Sequence, residues 1–229
     1  MNYIGHLAFG LEAYKYIQRY IKNKEEFLTG CVAPDIAIPD TITKNEGHFR
    51  DKSDKFFKSP DIERFLKKYK TRLNEDFVIG YFCHLFADFV FCDLYMVDIV
   101  KPLDNQDNLH NKKDAPFVYI KKQRKKVKAI EFKENNPIYD DYTISNDYLI
   151  NYFNIPLDIN FTVDDPHIDE IDSIKLKDIK KEVNKFLNYN NLKQDTSIII
   201  VDKYCNFIKA YAKDFSKLFI NLIKQKPCN

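Results

Sequence analysis

The segment FVIGYFCHLFADFVF, residues 77 to 91, sets a histidine and a carboxylate, His84 and Asp88, into a run of apolar and aromatic side chains. Such a run has no face to offer to water, so it reads as a helix buried at the centre of a globular domain. The four-residue spacing sends the imidazole and the carboxylate out of the same helix face, one turn apart. A carboxylate in apolar surroundings is costly unless it is paired or holds a cation. Either His84 and Asp88 bond each other inside a helical core, or they act as ligands. Borderline divalent ions such as zinc take imidazole nitrogen and carboxylate oxygen together, and this spacing delivers both from one helix.

The remainder of the chain is consistent with a domain built around that helix. Its 229 residues suffice for one sizeable core, and 45% hydrophobic against 31% charged residues is globular composition. Thirty-six Lys plus Arg balance 34 Asp plus Glu, so no overall charge argues for nucleic acid or a membrane surface. Five cysteines, with no Cys-x-x-Cys, indicate neither a disulfide framework nor a thiolate zinc site. The first residues lack a secretory pattern, and no stretch of about 18 uncharged apolar residues occurs, so a cytoplasmic protein without a transmembrane segment is expected.

Leu7, Leu11, Tyr14, Ile17 and Ile21 recur at three- and four-residue spacing, which predicts a first helix ending near Lys24, with His6 at or just before its start. Residues 29 to 48 carry Pro34, Pro39 and glycine-closed turns, so Asp35 and His48 are expected on a long loop. Ser59 is the expected cap of a helix reaching about Arg72, and Asn74 of the buried helix that runs to about Val100. The cationic run KKQRKKVK, 121 to 128, is expected as a helix with its lysines spread around the surface, a solvated face and not a nucleic-acid stripe. An Asn- and Asp-rich stretch follows, then two closing helices near 168 to 190 and 196 to 224, the second including Ser197 to Val201. The expected architecture is a single all-α domain over 1–229, with 1–115 as the half that carries the chemistry and 116–229 as its helical completion.

Two further phrases join His84 and Asp88. Asp35 follows the stiff Ala33-Pro34, and His48 follows Gly47, which permits close backbone approach to a bound group. The order His6, then Gly30-Cys31-Val32-Ala33-Pro34-Asp35, then His48-Phe49, then Gly80-Tyr81-Phe82-Cys83-His84-Leu85-Phe86-Ala87-Asp88, resembles the bacterial zinc-dependent phospholipase C family. It also resembles the related single-strand-specific zinc nucleases. The likeness covers roughly residues 1 to 115. It implies a multi-helical fold whose N-terminal half forms a cleft, with one to three zinc ions acting on a phosphate ester. Position by position, it implies one zinc site from Asp35, His48, His84 and Asp88, with Asp88 bridging to a second ion that His6 also holds. A third site would draw on Asp93, His110 and Asp114, the last two a His-x-x-x-Asp echo of the family pattern. Secreted members ligate zinc through the amino group of a processed tryptophan, which is lacking here, so that Met1, a water or another side chain would have to substitute.

The implied activity is phosphoric ester hydrolysis. Divalent ions lower the pKa of water and polarise a phosphoryl oxygen, and Asp35 resembles the family carboxylate that orients or deprotonates the attacking water. Asp35 is thus both a candidate ligand and the catalytic candidate. The expected substrate is a phospholipid, a nucleotide or another small phosphodiester; no stable nucleic-acid complex is expected, and the oligomeric state is not set. Cys31 and Cys83 are expected as packing residues. The alternative is a non-catalytic helical scaffold that keeps one structural ion and serves binding or interaction. Five matching positions favour hydrolysis; the altered N-terminal ligand and the thin third site favour the scaffold.

Overall fold

The computed structural model describes residues 1–50, 52–161, 164–187 and 195–225. Helix α1, Tyr3–Ile17, starts where Asn2 accepts a hydrogen bond from the Gly5 amide, and it already includes His6. Helix α2, Lys24–Ile36, is capped by Asn23, and its last turns contain Pro34 and Asp35. Asp35 is therefore on a helix and not on the expected loop: a proline this close to the C-terminal end forfeits one backbone bond without breaking the helix. The short α3, Lys44–Gly47, is closed by a reciprocal capping box between Thr43 and Glu46. Helix α4, Ile62–Tyr69, is capped by Asp61, with Ser59 buried ahead of it.

The long apolar helix is α5, Asp76–Val90, preceded by Glu75, which makes no side-chain cap; Asn74 does not hold the capping position. It continues through a π-helical turn, Phe91–Met96, into α6, Val97–Ile99, so the helical reading to about Val100 holds. Asp76–Ile99 is long and apolar enough to cross a membrane, but it is mostly buried inside the protein. Three short strands follow: β1, Val100–Leu103; β2, Phe117–Ile120; and β3, Lys125–Lys128. They form an antiparallel sheet in the order β1-β2-β3, with Val100 opposite Ile120 and Ile120 opposite Lys125. The cationic run is thus a hairpin turn and an edge strand. Its lysines are exposed as expected, but on strand geometry, and the mainly helical class stands with this small sheet added.

Helix α7, Ala129–Asn135, is separated from α8, Pro137–Phe153, only by Asn136 in the left-handed conformation, with Pro137 at the first helical position. The chain closes with α9, Ser173–Leu176; α10, Ile179–Leu187; and α11, Val201–Lys224. Part of the expected 168-to-190 helix falls outside the described residues. Ser197 to Ile200 are irregular and not helical, because Asp141 on α8, fully buried, collects the amides of Ser197, Ile198 and Ile199 and the Ser197 hydroxyl. Those amides would otherwise be orphaned in the interior.

The core forms where α1, α2, α5 and α11 meet. Helices α2 and α5 cross at a pair of glycines: a Cβ on Gly30 would stand 2.2 Å from the Phe77 carbonyl oxygen, and one on Gly80 2.0 Å from that of Phe27. No other residue fits there, and the close approach carries Asp35 to the side of His84 and Asp88. Phe82, stacked on Phe65 and edge-on to Phe215, ties α5 to α4 and α11. Each such fully buried ring contributes roughly 1.5–3 kcal/mol of hydrophobic stabilisation.

Candidate metal centre

Four elements deliver five side chains to one point. His6 comes from the first turns of α1, Asp35 from the end of α2, His48 from the residue after α3, and His84 and Asp88 from successive turns of α5. The three histidine side chains are fully buried, and that of Asp35 is 6% exposed. His6, His84 and Asp88 form one group and Asp35, His48 and His84 another, with ligand atoms in each lying within 4.8 Å of one another. The His6 and His84 rings stack at 3.7 Å between centroids.

Backbone carbonyls orient two of the rings. His84 donates its Nδ1 proton to the Cys31 carbonyl at 2.9 Å, and His48 donates its Nδ1 proton to the Lys44 carbonyl at 2.9 Å. A carbonyl can only accept, so Nδ1 of each ring carries a proton and the Nε2 side is turned inward, as in histidines that bind metals. The tie between α3 and α5 holds His48 in register: the Tyr81 hydroxyl donates to the Gly47 carbonyl. Phe49, next in sequence, takes φ 50° and packs its ring on Phe65 and Tyr81. A bulky residue with left-handed backbone is uncommon and marks a locally enforced geometry. Gly47, expected to permit close approach to a bound group, is instead packed on Ile38, whose Cδ1 would stand 2.1 Å from a Cβ there.

The inward-facing imidazole nitrogens and carboxylate oxygens are crowded together. His6 Nε2 stands 3.6 Å from Asp35 Oδ2 and 3.4 Å from Asp88 Oδ1, His84 Nε2 3.9 Å from Asp88 Oδ2, and His48 Nε2 3.2 Å from Asp35 Oδ1. Both nitrogens of His6 and Nε2 of His84 are buried without a hydrogen-bond partner. Unsatisfied buried nitrogens facing carboxylates are costly, and a cation between them removes that cost. Nitrogen and oxygen donors of this kind fit zinc.

The electrostatics follow from the same crowding. Burial would raise the Asp35 carboxyl, but the His48 hydrogen bond and the neighbouring histidines outweigh it and hold it well below the usual range. Asp88 shows the same balance, with the Met1 ammonium and His6 overcoming burial. Burial lowers His6 and His84, His84 strongly. The Met1 amino group bonds Asp88 directly, and Lys44 Nζ lies 2.8 Å from Asp35 Oδ1.

The other sequence candidates lie elsewhere. His110 and Asp114 bond each other at 2.9 Å, with side chains 31% and 72% exposed, and belong to neither group. Asp93 pairs with Lys55 at 2.8 Å. Cys31 and Cys83 are buried packing residues, as expected. A cavity of about 470 Å³ opens onto Asp35 and Asp88. Its walls include Lys44 and Arg50, but also Phe132, Lys133, Tyr139 and Tyr142 from α7 and α8, so it is not formed by the N-terminal half alone. Motif reading pointed to none of these wall residues, since no spacing links them to the histidines.

A mainly helical domain with a cluster of three histidines and two aspartates beside a cleft defines a candidate metal-binding protein. The profile of the zinc-dependent phospholipase C family matches residues 5–189, and the chain belongs to that family. The match extends well past residue 115, the limit of the likeness legible in the motifs. No curated protein and no solved structure matches the chain.

Proposed function

We propose that this protein hydrolyses phosphoric esters in the phospholipase C manner, with His6, Asp35, His48, His84 and Asp88 holding one or two zinc ions. The observation that carries the reading is the set of buried, partnerless imidazole nitrogens facing two carboxylates at the edge of the cavity. Zinc bound there supplies Lewis acidity toward a phosphoryl oxygen and a nucleophilic water at neutral pH. The protein supplies the rest. The Cys31 and Lys44 carbonyls fix the His84 and His48 rings, so these ligands need no reorganisation. Asp35, held ionised by its neighbours, orients the attacking water and accepts its proton. Phe57, Met96 and Phe132 give the cleft an apolar wall that excludes bulk water and holds the non-reacting part of the ester.

The test is zinc analysis of protein purified without chelator, followed by assay against phospholipids, nucleotides and a chromogenic phosphodiester. Stoichiometric zinc with hydrolysis is the expected result, and Asp35→Asn lowers kcat by about 10²–10⁴, the usual worth of a general base. Zinc-loaded protein that cleaves nothing in the panel overturns the catalytic reading in favour of a structural ion in a binding scaffold.

A further inference from the structure

The cavity beside the metal centre has a charge pattern that discriminates among substrates. Both carboxylates that reach it are engaged: Asp35 by Lys44 and His48, Asp88 by the Met1 amino group. Two cations on its wall are not. Among the described residues, neither Arg50 nor Lys133 pairs with a carboxylate; Arg50 donates to the Lys58 carbonyl at 2.7 Å and Lys133 to the Lys113 carbonyl at 3.1 Å. Arg50 Nε is buried with no hydrogen-bond partner. Aromatic rings also line the cavity, and aromatic faces attract quaternary ammonium groups. Here the Phe56 face is already taken, since Lys133 Nζ sits 4.4 Å from its centroid.

From this wall we infer that the cleft selects phosphoric esters of net negative charge, with Arg50 and Lys133 holding the extra charge, and disfavours zwitterionic choline esters. The inference rests on the proposed hydrolase site and names its substrate class. A choline headgroup would bring its cation against two unneutralised cations, with no free carboxylate to receive it and one aromatic face filled. Like-charge juxtaposition of this kind is how binding sites reject the wrong partner. An anionic headgroup meets the same wall as a complement. Guanidinium donors suit phosphate oxygens.

The test compares two ligands that share a phosphate and differ in the cation, sn-glycerol 3-phosphate and phosphocholine, by calorimetry on the zinc-loaded protein. Hydrolysis of phosphatidylglycerol and phosphatidylcholine is compared in parallel. The expected result is binding at least about tenfold tighter for glycerol phosphate, and the same order in kcat/KM, with the gap narrowing at high salt. Arg50→Gln and Lys133→Gln should each shrink the ratio between the two ligands, whereas a merely structural loss weakens both equally. Lys133 is exposed, so its variant folds even where Arg50→Gln does not. Equal binding, or tighter phosphocholine, overturns the charge selection and leaves the hydrolase reading standing; so does a gap that survives both substitutions. Binding of neither ligand together with no hydrolysis of either lipid overturns the hydrolase reading and this one with it.

Discussion

At the scale of single residues, Asp88 carries more consequence than any other side chain. It faces His6 through one oxygen and His84 through the other, so its charge acts on both imidazoles of its group, one of which, His84, also belongs to the second group. Asp88→Asn keeps the shape and removes the charge, and zinc affinity measured by competition with a chelator should fall at least about tenfold. His110→Ala should leave affinity within about twofold, because that ring lies outside both groups; equal losses in the two variants would refute the assignment. The pH dependence of the metal-free protein has a definite sign. Burial holds His6 and His84 below their ordinary 6.5, so as pH drops through 6.5 the unfolded chain binds protons that the folded chain refuses. Stability is then full above about pH 6.5 and falls toward the lowered folded values. Asp35 and Asp88 act in the same sense at lower pH: their contribution is present above 3.8 and lost as pH falls through their depressed folded values. Urea midpoints of chelator-treated protein should decline between pH 7.5 and 5, and a flat profile would contradict the burial of these imidazoles. The two ligand types and their order were legible at this scale, because His-x-x-x-Asp on an apolar helix fixes one face by local geometry alone. His110 and Asp114 had the same spacing without the apolar setting, and the structure leaves them bonded to each other at the surface.

Among the elements, the crossing of α2 and α5 decides whether the site assembles. Gly80→Ala drives a methyl group into the Phe27 carbonyl, a backbone atom that cannot rotate away, and should cost about 2 kcal/mol or more along with zinc affinity. Gly47→Ala meets only the Ile38 side chain, which can turn, so its thermal midpoint should move much less. Comparable losses at both positions would show that the crossing is not a tight one. Asp141→Ala should destabilise by about 1–3 kcal/mol by orphaning the amides that lead into α11, as read from a urea transition. Sequence patterning found α1, α5 and α11 because their apolar spacing is strong. It missed α8, where polar Asp141 and Asn146 occupy the buried face, and it missed α2, taking its residues from 29 onward for a loop because Pro34 usually stops a helix. The strand pair was hidden by lysines, although Phe117, Val118, Tyr119 and Ile120 form a β-branched and aromatic run.

For the whole molecule, a metal that binds only the folded chain couples site to stability. At free zinc about a thousandfold above its dissociation constant, the folded state gains about 4 kcal/mol, which raises the midpoint of a chain this size by roughly 10 °C. Chelation should remove that increment and zinc should restore it; an unchanged midpoint would mean that no ion links α1, α2 and α5. The sequence by itself determined the ligand types, their order, the central helix and the mainly helical class, since each depends on neighbours three or four residues apart. Only the tertiary structure decided that Asp35 and His48 reach His84, that a cavity opens beside them, and that Arg50 and Lys133 stand on its wall. Those placements depend on contacts between residues far apart in the chain, where hydrophobic burial drives helices together without direction and the shape of the surfaces, here two glycines without side chains, selects the fit.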